Sequence, residues 1–165
     1  MATMTTSGSA KLTFPSDTEI QITREFAAPR NLVFKAITTP ELVKRWWNAK
    51  RGEVTTAEID LREGGKWRYV MVTPDGFEVG FHGEYLEIVP NDRLVSTEAF
   101  EGAPDPDNNA TVNTMTLTEN DGVTTMTVLI ECPSPEVRNA IIESGMEGGM
   151  QDAYDLLEEV AVSLG

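Results

Sequence analysis

The side chains that could carry chemistry are few, and they narrow what this chain could catalyse. His82 is the only histidine and Cys132 is the only cysteine. A Ser-His-Asp triad would have to use His82, and the usual zinc sites, which take several ligands from His and Cys, are nearly excluded. A single cysteine also allows no internal disulfide. We therefore expect no metal and no other cofactor.

A general acid or base would need an ionisable group that points into the protein. Alternation along the predicted strands leaves four inward polar candidates, which are Tyr69, Tyr85, Glu87 and Asn113. The direction of Glu87 stays open, because the apolar alternation changes over residues 83–87, which indicates a β-bulge. An enzyme is therefore an alternative, and we predict no catalytic residue.

His82 shares its parity with Glu78 and Glu84, which places it on the solvent face of the sheet. Arg68 has the same parity and is expected to meet these acids across the strands. A lone histidine without a positioned partner is weak evidence for a base. The acids of the last helix are expected on its wet face, and these are Asp152, Asp155, Glu158 and Glu159.

The opposite faces of the same strands are apolar and aromatic. Trp67, Tyr69 and Met71 share one face, while Lys66, Arg68, Val70 and Val72 share the other. In the next strand the inward set is Phe77, Val79, Phe81 and Tyr85. Methionine adapts to variable shapes, and Tyr and Trp carry polar ends that need partners when buried. From the residues alone a filled core is the more common meaning of such stripes.

The elements that would position these side chains follow one another along the chain. A strand is predicted over 18–26, followed by two short helices that begin near Pro29 and Pro40. Six strands come next, over 54–61, 64–73, 77–89, 93–100, 111–119 and 123–132. One long helix of roughly 30 residues then runs from Ser134 to about residue 164.

Three glycines, Gly145, Gly148 and Gly149, fall in the middle of the predicted last helix. Each costs about 1 kcal/mol relative to alanine in that position. We expect that they allow close approach of the helix to the sheet or to the Trp46-Trp47 segment. A bend that opens an entry to a pocket is the alternative.

The composition of the chain limits its possible partners and location. The net charge is −14 and the pI is near 4.4, so we expect neither nucleic acid nor an anionic membrane as a partner. Residues 1–17 are predicted to be a flexible tail without a secretory signal, and 18–165 a single domain. No segment is long and apolar enough to span a bilayer, so we expect a cytoplasmic protein, either a monomer or a homodimer.

Several motifs in this order resemble one known family. They are Phe26-Ala27-Ala28-Pro29, Trp46-Trp47, Gly64-Gly65-Lys66-Trp67-Arg68-Tyr69, Gly83-Glu84-Tyr85-Leu86, and Gly148-Gly149-Met150. Over residues 18–164 the chain resembles the family related to the activator of the heat-shock chaperone ATPase, in the START-like (SRPBCC, helix-grip, Bet v 1-like) superfamily. The resemblance implies an α+β fold, in which a curved antiparallel sheet of six to seven strands surrounds a long C-terminal helix. Two short helices would lie between the first two strands.

The resemblance also favours a pocket over a filled core, because relatives commonly enclose one. The predicted lining is Trp46, Trp67, Tyr69, Met71, Phe81, Tyr85, Met115, Leu117, Met126, Val128, Met146 and Met150. Relatives often have an aromatic residue where this chain has Met150. The leading hypothesis is binding of an apolar or aromatic small molecule. The alternatives are an enzyme of the cyclase, dehydratase or hydrolase kind in the same cavity, and a co-chaperone-like regulator of the heat-shock chaperone ATPase.

Overall fold

The computed structural model describes residues 10–48 and 50–165 and has the predicted α+β helix-grip architecture. Eight strands form one antiparallel sheet in the order β1-β2-β8-β7-β6-β5-β4-β3. The strands are β1 Lys11–Thr13, β2 Glu19–Phe26, β3 Glu53–Ile59, β4 Lys66–Val72, β5 Glu78–Val89, β6 Arg93–Phe100, β7 Thr111–Asn120 and β8 Val123–Glu131.

The sheet has one strand more than the six to seven expected. The extra strand, β1, lies within the segment predicted to be a tail and pairs with β2 at the sheet edge. Just before it, Ala10 exchanges two hydrogen bonds with the Gln151 side chain, with N···Oε1 2.8 Å and Nε2···O 3.0 Å. Residues 1–9 of the predicted tail lie outside the described residues.

Two helices separate β2 from β3, as predicted, and two more follow β8. They are α1 Arg30–Thr38, α2 Pro40–Trp46, α3 Pro135–Glu143 and α4 Met146–Ser163. Proline opens α2 and α3 at the first turn, where its missing N–H removes no helical bond. Ser134 caps α3, since its Oγ accepts a hydrogen bond from Val137 N at 3.2 Å.

The prediction of one continuous final helix is wrong. The helix ends at Glu143 and begins again at Met146, because Gly145 has φ +82°, in the left-handed region that breaks a right-handed helix. Gly148 and Gly149 lie in the first turn of α4, and the atoms that a Cβ there would meet belong to Arg51 and Asn48. The glycines therefore face the segment that follows α2.

One side of the sheet, called the inner face below, meets α4 in a continuous apolar core. From β2 the residues Ile20, Ile22 and Phe26 are buried in this core. From α4 the buried residues are Met150, Ala153, Leu157, Val160 and Ala161. The α4 helix thus covers the inner face as the gripped helix of this architecture.

A charged link also holds α4 against β2. Arg24 lies on the inner face with its side chain fully buried, and its Nη2 is 2.8 Å from Asp155 Oδ1 and 3.7 Å from Glu158 Oε1. Glu158 Oε2 also accepts a hydrogen bond from Ala27 N at 2.8 Å. Asp155 and Glu158, predicted on the wet face of the helix, are therefore ion-pair partners of a buried guanidinium.

Two predictions about strand faces are corrected by the structure. Phe77, predicted inward, precedes β5 and is 70% exposed at the hairpin. Val70, predicted on the wet face, is buried on the outer face. The residues that follow β6 fold back there, with Glu101 N donating to Gly80 O at 2.9 Å. The bulge expected near 83–87 is present, as a shift in register between Tyr85 and Glu87.

Among the described residues, no helix combines the length and the apolarity that a membrane crossing requires.

Candidate functional site

Five aromatic rings form a continuous band between the sheet and the end of α2. The aromatic band comprises Trp47, Trp67, Tyr69, Phe81 and Phe100. Consecutive ring centroids are 4.7 Å apart for Trp67 and Tyr69, 5.3 Å for Tyr69 and Trp47, 5.7 Å for Trp47 and Phe81, and 5.1 Å for Phe81 and Phe100. These are the spacings of offset or edge-on aromatic pairs. Tyr69 and Phe81 are opposite each other in the β4–β5 pair, which explains why Trp47 contacts both rings.

Trp67 is held over β5 by a glycine. It lies opposite Gly83, and a Cβ at residue 83 would be 2.6 Å from Trp67 Nε1 and would overlap the Thr97 carbonyl oxygen. With no side chain in the way, the indole Nε1 donates to that same Thr97 oxygen on β6 at 3.2 Å. The ring therefore crosses β5 and is held by a hydrogen bond to β6.

Most of the predicted lining residues are together in the core on the inner face. Buried members of this core are Trp46, Trp67, Tyr85, Met115, Leu117, Met126, Val128 and Met150. Half-buried residues packed against it are Tyr69, Phe81 and Met146. Trp46 joins α2 to α1, since its Nε1 donates to Ala36 O at 2.9 Å. Met71 is buried apart from the core, near Gly52.

A half-buried carboxylate, which could not be recognised in the sequence, lies on the same inner face. Glu98 Oε1 accepts a hydrogen bond from Asn113 Nδ2 at 2.8 Å, and Asn113 Oδ1 accepts one from Thr111 Oγ1 at 2.8 Å. Burial raises the pKa of Glu98, and the Asn113 hydrogen bond lowers it by less. Glu98 is thus an enclosed acid whose identified side-chain partner is a neutral amide.

The sheet register places Glu98 beside Trp67. Phe81 pairs with Phe100 and Tyr85 pairs with Ser96, so the position between them, Gly83, falls opposite Glu98. The indole of Trp67 lies over Gly83 and reaches the carbonyl of the residue before Glu98. The carboxylate therefore borders one end of the aromatic band.

Three tyrosines share this interior. Burial raises the pKa of Tyr69 well above its usual value, and Tyr85 and Glu98 raise it further. Burial raises the pKa of Tyr85 to about 12. Burial and the Glu98 charge raise the pKa of Tyr154, which lies on α4 edge-on to Phe26. All three hydroxyls stay protonated at neutral pH and can donate hydrogen bonds.

Several of these polar groups are deep in the protein but not fully covered. Tyr69, Glu98 and Tyr154 are enclosed by surrounding protein, yet each keeps part of its accessible surface. The three side chains are therefore half-buried at the edge of the apolar core, where solvent still reaches them.

The other predicted polar candidates are positioned differently. Asn113 is the inward partner of Glu98, as described above. Glu87 is half-exposed and pairs with Arg93, with Oε1···Nε 3.0 Å. Since the bulge turns Glu87 toward this surface pair, it does not contribute to the interior.

His82 has partners that the sequence did not reveal. On the outer face its Nδ1 is 2.8 Å from Glu101 Oε2 and its Nε2 is 2.7 Å from Asp107 Oδ1. Arg68 meets Glu101 through two hydrogen bonds of 2.9 Å, and not the acids expected across the strands. Hydrogen bonds to Asp107 and Glu101 raise the pKa of His82. The hydrogen bonds that Glu101 accepts from Arg68 and, to a smaller extent, from His82 lower the pKa of Glu101 to about 2.

Two surface depressions do not coincide with the predicted lining. One of about 460 Å³ is lined by Arg30, Thr118 and Glu119. The other, of about 200 Å³, lies beside Arg68 and Glu101 on the outer face. Within residues 10–48 and 50–165, no group of three or more His, Cys, Asp or Glu side chains could hold a metal ion.

Comparisons with known proteins point to one family. The model of the family described as Activator of Hsp90 ATPase homolog 1-like protein matches residues 27–161. Similar solved structures include a Rhodobacter sphaeroides protein with 26% identity and a TM-score of 0.86, covering 94% of this chain and 99% of that one. A Nitrosomonas europaea protein has 26% identity, a TM-score of 0.80 and coverage of 93% and 99%.

A third similar structure, from Arthrobacter aurescens, has 26% identity, a TM-score of 0.82 and coverage of 93% and 91%. No curated protein matches the chain significantly. The agreement over nearly the whole length of all three structures identifies the fold.

Proposed function

This chain belongs to the Activator of Hsp90 ATPase homolog 1-like family, and from that premise we propose that it binds an apolar or aromatic small molecule between the inner face of the sheet and α4. The fold of this family commonly binds hydrophobic ligands. The observation that carries the proposal is the aromatic band together with enclosed polar groups that keep accessible surface.

The chemistry of the interior suits such a ligand. Aromatic faces and methionine side chains provide apolar contact that adapts to the shape of a guest. Tyrosine hydroxyls and one carboxylate provide a small number of polar contacts that fix its orientation, which is the usual composition of a small-molecule site. A core built only for packing would instead avoid polar groups, since each must find a partner when buried.

Titration with the neutral fluorescent probe N-phenyl-naphthylamine tests the proposal. We expect saturable enhancement of its fluorescence by the native chain. Met115→Trp should fill the interior and weaken binding, because Met115 is buried on the inner face. Val162→Trp is the matched control, because Val162 is 50% exposed on α4. Unchanged binding by a folded Met115→Trp chain would place the probe elsewhere and contradict the proposal, as would absence of binding by the native chain.

An enzyme in the same interior is a second candidate, and the observation that favours it is Glu98. A carboxylic acid whose pKa is raised by burial can serve as a general acid or base. The test is incubation of small-molecule extracts with the native chain and with Glu98→Gln. A compound consumed in many turnovers by the native chain alone would support catalysis, and equal compositions after both incubations would count against it.

A further inference from the structure

We propose that the interior selects organic cations, with an ammonium group placed against the Glu98 carboxylate and an apolar body along the aromatic band. This inference rests on the proposed binding function and adds the charge of the ligand. It follows from three features: the partners of Glu98, the rings beside it and the charge of the whole chain.

Glu98 has no cationic partner among the ion pairs of the described residues. Its hydrogen bond comes from the neutral amide of Asn113. The buried cation on the inner face, Arg24, is already paired with Asp155 and Glu158. An enclosed carboxylate is costly to ionise unless a cation compensates its charge. A bound ammonium group would supply that charge.

The rings beside Glu98 favour the same occupant. The Trp67 indole lies over Gly83, opposite Glu98. Phe100 is two residues further along β6 on the same face, a separation of about 7 Å along a strand. Aromatic faces attract cations through the ring quadrupole, and tryptophan does so most strongly. A carboxylate bordered by such rings offers charge pairing and cation–π contact to one group.

The total charge of the chain acts in the same direction. At −14 the chain attracts cations from solution and repels anions. The ionisable groups that interact with Glu98 are Tyr69 on β4 and Tyr154 on α4. Tyr85 on β5 interacts with Tyr69, and Arg24 on β2 interacts with Tyr154. Those tyrosines are neutral, so Glu98 determines the change of charge in this part of the interior. Entry of a cation should therefore displace a proton from Glu98 when that group is protonated.

Three probes with the same ring and a similar chain test the inference: phenethylamine, phenethyl alcohol and phenylacetate. Binding is followed by calorimetry and by tryptophan fluorescence. We expect the amine to bind about tenfold more tightly than the alcohol, a difference that one favourable charge contact can supply, and phenylacetate to bind least. Affinity for the amine should rise with pH, because deprotonated Glu98 is the binding form.

Glu98→Gln keeps the size of the side chain and its acceptor for Asn113 but removes the charge. It should abolish the preference for the amine while retaining the alcohol. Glu53→Gln, at an exposed position on β3, removes one charge from the surface and should change neither. Thermal melts of both variants establish that they fold.

The outcomes separate this inference from the proposed function. Equal affinity for amine and alcohol, or a preference that survives in Glu98→Gln, overturns the selection of cations while binding of N-phenyl-naphthylamine still supports the apolar site. If the chain binds neither the three probes nor the naphthylamine, both proposals fail.

Discussion

Trp67 lies opposite Gly83, and its indole occupies the space that a side chain at residue 83 would take. Gly83→Ala should therefore lower the free energy of unfolding by about 2 kcal/mol or more, because the new methyl group meets the Trp67 ring and the Thr97 backbone oxygen. Urea denaturation followed by circular dichroism measures the change. The same substitution should shift the tryptophan emission, since the indole must move.

Gly149→Ala is the matched control for the preceding variant, with an expected effect of opposite sign. A Cβ at residue 149 would have its nearest neighbour at 3.6 Å, the Nε of Arg51, which is ordinary van der Waals contact. Alanine in a helix should raise the free energy of unfolding by about 0.5–1 kcal/mol. If both alanines destabilised the chain equally, the close approach at Gly83 would not be the cause.

Glu98→Gln should stabilise the chain in a pH-dependent way. The pKa of Glu98 is raised in the folded chain above 4.5, so the folded state holds a proton that the unfolded state releases as pH rises. The stabilising contribution of Glu98 is therefore lost as pH rises above 4.5. The free energy of unfolding is lowest at pH values above the pKa of the folded state. The glutamine variant lacks that loss, so its melting temperature should exceed the native value near neutral pH and match it more closely in acid. A difference that grows toward low pH would contradict this assignment.

His82 should titrate with a raised pKa, observable as a single imidazole resonance because the chain has one histidine. Both ring nitrogens face carboxylates, which accept but do not donate when ionised, so both contacts require the imidazolium. The stabilising contribution of the imidazolium is complete below pH 6.5 and is lost as pH rises through the pKa of His82 in the folded state. Melting temperatures of His82→Gln should therefore depend less on pH across that range. Asp107→Asn should lower the pKa of His82.

The Arg24 ion pairs should respond unequally to removal of the cation and of the acids. Asp155→Asn combined with Glu158→Gln leaves a buried guanidinium without a counter-charge and should cost about 3 kcal/mol or more. Arg24→Met replaces the cation by an apolar chain of similar length, so the cost should be smaller. Chemical denaturation of the two variants gives the comparison. Equal costs would mean that the guanidinium is compensated by other groups.

Much of the sheet could be predicted from the sequence, because its strands alternate clearly and their turns have strong signals. Asp75-Gly76 correctly marked a hairpin, and most boundaries agree within two residues. The break at Gly145 was missed because apolar positions continue at helical spacing on both sides of it. Only the left-handed φ separates a glycine that bends a helix from one that ends it.

The inward-facing acid Glu98 was missed for a different reason. In β6, Leu94, Val95, Ala99 and Phe100 place apolar side chains on both faces, so alternation does not show which way Glu98 points. Its partner Asn113 was recognised as inward, since β7 alternates more regularly. The available signal was that the inward amide of Asn113 needed a polar partner, and none had been assigned to it. Because Ser96 pairs with Asn113, Glu98 lies two residues further along β6 on the same face, where its carboxylate accepts the Asn113 hydrogen bond.

The left-handed residue between α3 and α4 divides the C-terminal cover of the sheet into two parts of unequal stability. Five residues of α4 are buried in the core, whereas α3 buries none fully. The backbone amide hydrogens of α3 should therefore exchange with solvent through local unfolding. Those of α4 should exchange only when the core unfolds. Admission of a guest past α3 would then require the displacement of one nine-residue helix and would leave the β-sheet intact.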